Sequence, residues 1–247
     1  MRADKLLKEA AMPDIQTLRV ELKRDGYAII QYDDDNLHSY PYDAPWLTDE
    51  AFNKVYNSVR EHTLVDRTRC YSHYLLMDQI KKIPGDILEV GAWRGGTAGI
   101  FAQLMPDRMV YVADTFEGVV KSSAWEHYED RAHADTSEDL VTQFLGDELN
   151  VSNFTILKGI FPEDTGSEVK EKQFSFVHID VDVYRSARDS FEFVWDNVSR
   201  GGVVAFDDYG FISACSGVHK FVNEIKDDAD KLFIQNLNGH AYIMKLL

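Results

Sequence analysis

The chain has 247 residues and a formal net charge of −16, with 42 acidic against 26 basic residues; 45% hydrophobic and 28% charged residues are ordinary for a globular protein. That excess of negative charge argues against a nucleic-acid backbone or an anionic membrane surface as partner, and no Lys/Arg run provides a local basic patch. Two cysteines, Cys70 and Cys215, stand in no paired spacing and fit a reducing cytoplasm, and no apolar run approaches the roughly 20 residues needed to span a bilayer.

Residues 1 to about 25 read as helical and amphipathic, interrupted by Pro13. The Asp33-Asp34-Asp35 cluster reads as a solvated acidic loop in preference to extra metal ligands, and the aromatic segment around Tyr40, Tyr42 and Trp46 as a cover for a ligand or a piece of core. A helix is expected from Thr48, with Phe52, Val55, Tyr56 and Val59 as its inward stripe, and another from Arg69 to Lys82, stopped by Pro84-Gly85. Residues 1–64 are taken as a helical N-terminal extension or lid, and residues 65–247 as the main domain.

A regular alternation follows. Strands are expected at Ile87–Val90, Met109–Ala113, Phe154–Leu157, Phe174–Ile179 and Val203–Phe206, with helices over residues 97–105, 137–149 and 217–226, and one between the fourth and fifth strands ending in a Gly201-Gly202 turn. Residues 116–135 are polar and aromatic without clear period and read as an excursion above the sheet. Two strand runs flank Asn238-Gly239, a hairpin signal. The fold class is α/β: a Rossmann-like doubly wound sheet of five parallel strands closed by a C-terminal antiparallel hairpin. A dinucleotide-binding sheet does not usually end in that hairpin, whereas a class I methyltransferase sheet does.

Two stretches carry the chemistry. The fourth strand delivers Asp180 and Asp182, and the fifth Asp207 and Asp208; parallel strands joined by one helix put these ends on one edge, where open α/β sheets bind ligands. Carboxylates crowded together repel unless a cation lies among them or some are protonated, and oxygen-only donors favour Mg²⁺, Ca²⁺ or Mn²⁺. Helix or turn capping is the plain alternative, for Asp182 above all. The second stretch is the turn from Glu89 and Gly91 through Arg94, Gly95 and Gly96 to Thr97. Its Gly-x-x-x-Gly-Gly spacing is not the dinucleotide fingerprint. Asp114, closing the next strand, suits the ribose of either NAD or S-adenosylmethionine, while Glu89 beside the turn suits a cationic amino-acid group and repels a pyrophosphate.

The segments GDILEVGAWRGGT, VYVADTFEGV, HIDVDVYRSARDSF and GGVVAFDDYG followed by CSGVHKFV resemble the macrocin O-methyltransferase family, over about residues 60–225. The resemblance implies an enzyme that uses S-adenosylmethionine and Mg²⁺ to methylate a hydroxyl of a sugar or related small natural product. It implies Asp180, Asp207 and Asp208 as metal ligands and Asp182 as general base. Glu89, Gly91 and Arg94 to Thr97 would surround the methionine part, with Asp114 and Thr115 at the ribose, Gly159 and Ile160 near the adenine, Asp180 also facing the cofactor, and Thr68 closing over it. A homodimer or larger assembly, built partly through the N-terminal helices, is a further implication. Two readings stay open beside it: a nicotinamide-dependent oxidoreductase on a similar sheet, and a cofactor-binding module without turnover. His178 reads as a satisfied core histidine, and His127, His133, His219 and His240 carry no motif.

Overall fold

The middle strands are apolar at nearly every position because both faces of the sheet are covered. In the computed structural model, which describes residues 45–126, 128 and 131–247, β4 (Phe174–Ile179) is buried throughout and β1 (Asp86–Val90) at all positions but its first. The expected helix in the first 25 residues, the Asp33–Asp35 loop, most of the aromatic segment and His127 lie outside the described residues.

Seven strands form one sheet: β1, β2 (Val110–Asp114), β3 (Phe154–Lys158), β4, β5 (Val198–Phe206), β6 (Lys231–Gln235) and β7 (Ala241–Lys245), in the order β3-β2-β1-β4-β5-β7-β6. The first five are mutually parallel, and β7 enters antiparallel between β5 and β6, as the sequence led us to expect. One face is covered by α1 (Pro45–Thr48), α2 (Glu50–Val59), α3 (Arg67–Ile80), α4 (Gly96–Leu104) and α5 (Glu138–Gln143), around a core holding Phe52, Val59, Met77, Phe101, Phe144 and Phe176. The other is covered by α6 (Gly166–Val169), α7 (Tyr184–Val194) and α8 (Ser216–Ile225), around Phe174, Val177, Phe191, Phe206 and Phe221.

The caps explain where the first helices begin. Asp49 accepts the Phe52 amide at 2.9 Å and starts α2; Asp66 accepts from Thr68 and Arg69 at 2.8 and 3.1 Å and starts α3. Phe52 and Val59 of α2 are fully buried, so residues 45–64 pack into the same core as the strands.

Several local expectations are corrected. The Gly201-Gly202 pair is not a turn before the fifth strand: β5 starts at Val198 and runs through both glycines, its register to β4 shifting there, because pairing of Phe174 with Val198 extends the ladder. The helix expected over residues 137–149 is α-helical only to Gln143 and continues as a wider π-type turn through Glu148. The Asn238-Gly239 signal marks a loop of several residues, closed by the Asn236 amide on the His240 carbonyl at 2.8 Å.

Candidate active site

β1 and β4 are neighbours, but the connections after them lead to opposite sides of the sheet, which opens a crevice at their carboxyl ends. Gly91 sits at this parting with φ +87°, and a Cβ there would lie 1.7 Å from the Asp180 carbonyl oxygen. Only glycine permits that approach in that conformation.

A cavity fills the crevice. Its wall takes Gly91, Thr97, Asp114, Thr115, Gly159 and Ile160 from the ends of the first three strands and the start of α4, and Asp180, Asp182, Asp207 and Asp208 from the ends of β4 and β5. The two stretches singled out in the sequence therefore meet in one space. Asp114 is held rigidly: Oδ2 accepts the Ala92 and Trp93 amides at 2.8 and 2.9 Å, and Oδ1 accepts the Phe116 amide at 2.7 Å. Burial nevertheless leaves its pKa above the usual carboxylate value, the hydrogen bonds only partly offsetting it. Thr115 donates to the Gly118 carbonyl, and Thr97 shares a 2.9 Å hydrogen bond with Thr63, another wall residue.

The remaining predicted residues are not part of the wall. Thr68 points its hydroxyl at Asp66 in the first turn of α3 (2.6 Å). Glu89 lies in the core below the crevice with Oε1 3.0 Å from His178 Nδ1. Arg94 turns outward, donating to Asp135 Oδ2 at 2.7 Å with its guanidinium over the Trp93 ring. Gly95 and Gly96 form the entry to α4, where the Gly96 amide donates to the His62 carbonyl at 2.8 Å.

The acidic group is tightly built. Carboxylate oxygens of Asp180, Asp207 and Asp208 all lie within 4.8 Å of one another. Burial, then the neighbouring charges of Asp207 and Asp208, pushes Asp180 well above the ordinary carboxylate pKa; burial, then Asp182 and Asp207, does the same to Asp208. Asp207 goes the other way. Burial alone would raise it, but His178, His240 and Arg69 hold it well below the usual range. Its Oδ1 lies 2.6 Å from His240 Nε2, and its Oδ2 is bonded to the Arg69 guanidinium. Two carboxyl groups whose ionisation is disfavoured by burial and by their neighbours form a set that a divalent cation would relieve, and three oxygen donors without sulfur suit a hard ion.

Asp182 stands apart from the other three. Its backbone is left-handed, φ +65°, a conformation seldom adopted by a non-glycine residue and concentrated at functional sites. The Asp182 amide donates to Asp208 Oδ2 at 3.0 Å, which ties the two loops together. Its carboxylate accepts from the Tyr128 hydroxyl and, at 3.6 Å, from the Cys215 thiol, and burial raises its pKa. It caps no helix: α7 starts at Tyr184 after Val183, with no side-chain cap bond.

Arg69, His240, Tyr128, Thr63 and Cys215 were missed as site residues in the sequence. Arg69 directly follows Thr68, which the resemblance places at the cofactor, so a cation there was within reach; Tyr128 sits in the aperiodic excursion, and His240 follows a turn, without any local signal of their role.

A family model described as macrocin-O-methyltransferase (TylF) matches residues 57–236. Among characterised relatives, the 8-demethyl-8-(2,3-dimethoxy-alpha-L-rhamnosyl)-tetracenomycin-C 4'-O-methyltransferase of Streptomyces olivaceus is 26% identical over 225 residues, 84% of this chain and 85% of the relative. The demethyldecarbamoylnovobiocin O-methyltransferase of Streptomyces niveus is 27% identical over 194 residues, covering 72% of this chain and 74% of the relative. Among solved structures, the O-methyltransferase NovP superposes with a TM-score of 0.62 at 25% identity, covering 75% of this chain and 83% of that one.

Proposed function

This chain belongs to the macrocin O-methyltransferase family and is an O-methyltransferase; from that premise we propose that it methylates a hydroxyl of a sugar or related small natural product, using S-adenosylmethionine and Mg²⁺. The observation that carries the reading is the meeting of Gly91, Thr97 and Asp114 with Asp180, Asp182, Asp207 and Asp208 in one cavity. The relatives named above are O-methyltransferases of glycosylated or natural-product substrates by their own descriptions, which supports the acceptor class.

S-adenosylmethionine, when bound, supplies a methyl group on a sulfonium whose departure as a neutral thioether drives transfer. On this reading the Asp114 carboxylate, fixed by three backbone amides, accepts from the ribose hydroxyls through its remaining lone pairs, and the open floor at Gly91 admits the methionine part. Gly159 and Ile160 border the adenine. Glu89 and Arg94 act from behind: Glu89 from the core under the methionine end, paired with His178, and Arg94 by pinning the loop that carries Asp135. Thr68 does the same for the start of α3.

Asp180, Asp207 and Asp208 would hold Mg²⁺, which there supplies Lewis-acid stabilisation for a developing alkoxide. Asp182 is the general base. Its raised pKa brings it nearer to neutrality, the direction that improves a carboxylate as a proton acceptor, and its left-handed backbone aims the side chain into the cavity. Tyr128 and Cys215 orient that carboxylate by donating to it. The N-terminal 60 residues and residues 119–150, which carry none of the motifs of the family, select the acceptor; the active form is a homo-oligomer. Both cysteines are free and buried, which supports a reducing, cytoplasmic setting. No helix among the described residues is long and apolar enough to cross a membrane.

The test is calorimetric titration of S-adenosylmethionine and then Mg²⁺ into the wild type and into Asp208→Asn. The expected result is binding of both by the wild type, with the variant keeping the cofactor and losing the metal. A wild type that binds the cofactor but methylates a glycoside acceptor equally well with the divalent metal chelated would overturn the metal part; failure to bind the cofactor would overturn the whole.

A further inference from the structure

Beneath the carboxylate edge, on the sheet face covered by α3, lies a second group of side chains that methyl transfer leaves without a task. β4, β5 and β7 are adjacent, and the pairs Ile179–Phe206 and Phe206–Ala241 fix their register. Side chains alternate across a strand, so the residues flanking that row, His178, Asp207 and His240, project from the opposite face to Ile179, Phe206 and Ala241. α3 lays His73 over them, its ring centroid 4.7 Å from that of His178 and 4.5 Å from that of His240. All four side chains are buried, and one donor atom of each lies within 4.8 Å of those of the other three.

Three ring nitrogens there are not satisfied by the protein. Both ring nitrogens of His73 lack a hydrogen-bond partner, and His178 Nε2 lies 3.5 Å from Asp207 Oδ1 without bonding to it. Buried nitrogens without partners are uncommon and call for a ligand or a water. The outer nitrogens, by contrast, are anchored: His178 Nδ1 on Glu89 Oε1 at 3.0 Å and His240 Nδ1 on the Tyr242 hydroxyl at 2.9 Å. This is the arrangement of imidazoles that ligate a metal, in which the far ring nitrogen is held by a carboxylate or another oxygen so that the near one faces the ion.

Three imidazoles and one carboxylate are a donor set for Zn²⁺ or a neighbouring transition metal, and a poor one for Mg²⁺, which prefers oxygen and keeps waters. A proton network alone does not complete the group, because His73 would keep both a donor and an acceptor unpaired in a dry core. Asp207 is the shared member: Oδ1 turns toward the imidazoles while Oδ2 carries Arg69.

We infer that His73, His178, His240 and Asp207 bind a transition-metal ion of the zinc class in a buried site that shares only Asp207 with the three-carboxylate site above it. The ion enters during folding, since the donors are sealed from solvent, and it locks α3 to the ends of β4, β5 and β7. It takes no part in methyl transfer; it fixes the carboxylate of Asp207.

The experiment measures metal in the full-length protein after exhaustive dialysis against excess Mg²⁺, and records the visible spectrum of protein produced with Co²⁺ in place of Zn²⁺. Stoichiometric transition metal and the intense d–d bands of four-coordinate Co²⁺ are expected, both lost in His73→Phe while S-adenosylmethionine binding, followed in the same samples, persists. A wild type that holds no transition metal and takes up neither Zn²⁺ nor Co²⁺ on refolding overturns the inference. So does a Co²⁺ spectrum of the weak, six-coordinate oxygen type that Mg²⁺ abolishes. Should His73→Phe fail to fold, the wild-type metal content and Co²⁺ spectrum still decide.

Discussion

The guanidinium of Arg69 is bonded to the carboxylate of Asp207 across 138 residues of sequence, and both side chains are almost wholly buried. Burial alone would lower the Arg69 pKa, yet Asp207 and Asp66 hold it above its normal value, so this cation is fixed in the acidic edge at every accessible pH. Arg69 thereby supplies a positive charge where the metal reading also needs one. In Arg69→Met the Asp207 charge loses its guanidinium partner, and breaking a buried pair on one side costs about 3 kcal/mol. Chemical unfolding with and without Mg²⁺ checks this: the variant is expected to lose roughly that much in metal-free buffer and to regain a larger share than the wild type when Mg²⁺ is added. Equal stability of the two proteins without Mg²⁺ would show that His178 and His240 compensate Asp207 on their own.

Asp182 combines a general-base position with a strained backbone, and substitution separates the two. Asp182→Asn keeps the shape and removes the proton acceptor, so kcat is expected to fall by about 10²–10⁴ while S-adenosylmethionine affinity stays within a factor of a few. Asp182→Gly is expected to be as inactive yet no less stable, since glycine meets φ +65° without the cost of about 1 kcal/mol borne by a side chain there. Thermal unfolding beside initial rates reads both quantities. A Gly variant that is markedly less stable than the wild type would mean that the bonds from Tyr128 and Cys215 outweigh the strain.

Gly91 holds the crevice open, and its replacement is a test of the floor. The alanine Cβ would overlap the Asp180 carbonyl at a backbone angle that alanine avoids. Gly91→Ala is therefore expected to lose roughly 3–5 kcal/mol and to bind cofactor poorly even where it folds. A variant with wild-type denaturant midpoint and cofactor affinity would show that β1 and β4 can part there without harm.

The parts of this protein that could be read from sequence are those whose cause is local. The apolar runs of β1, β4 and β5 and the carboxylates that end them occupy fixed places in a parallel sheet, so Asp180, Asp207 and Asp208 were bound to converge once the strand order was known. The hairpin between β6 and β7 was visible in Asn238-Gly239. What was not legible depends on distant packing. Glu89 is adjacent in sequence to the cavity residue Val90, yet alternation along β1 turns it to the other face and into His178. His73 and His240 meet only because a helix and the last strand cross the same sheet face, and nothing near either in the chain announces it. Tyr128 reaches Asp182 from a loop with no period at all.

Asp66 offers a pH-dependent check on how α3, and with it Arg69, is held. Its Oδ1 caps the helix through the Thr68 and Arg69 amides, and its Oδ2 lies 2.7 Å from Arg69 Nε. Burial works to raise its pKa, but the hydrogen bonds from Thr68 and Arg69 and the Arg69 charge prevail and leave it below its ordinary value. A carboxyl group with a lowered pKa in the folded state contributes stability at pH above its unfolded value of about 3.9, and that contribution disappears as pH falls through the folded value. The group is half exposed, so solvent screens the charge and the capping bonds dominate. Asp66→Ala is expected to cost about 1 kcal/mol at neutral pH. The difference between the two proteins should narrow as pH is lowered below about 4, where the wild-type carboxylate protonates too. Paired urea unfolding curves at neutral and acid pH measure it. A difference that stays constant into the acid range would place the role of Asp66 in packing, leaving Arg69 to be positioned by Asp207 alone.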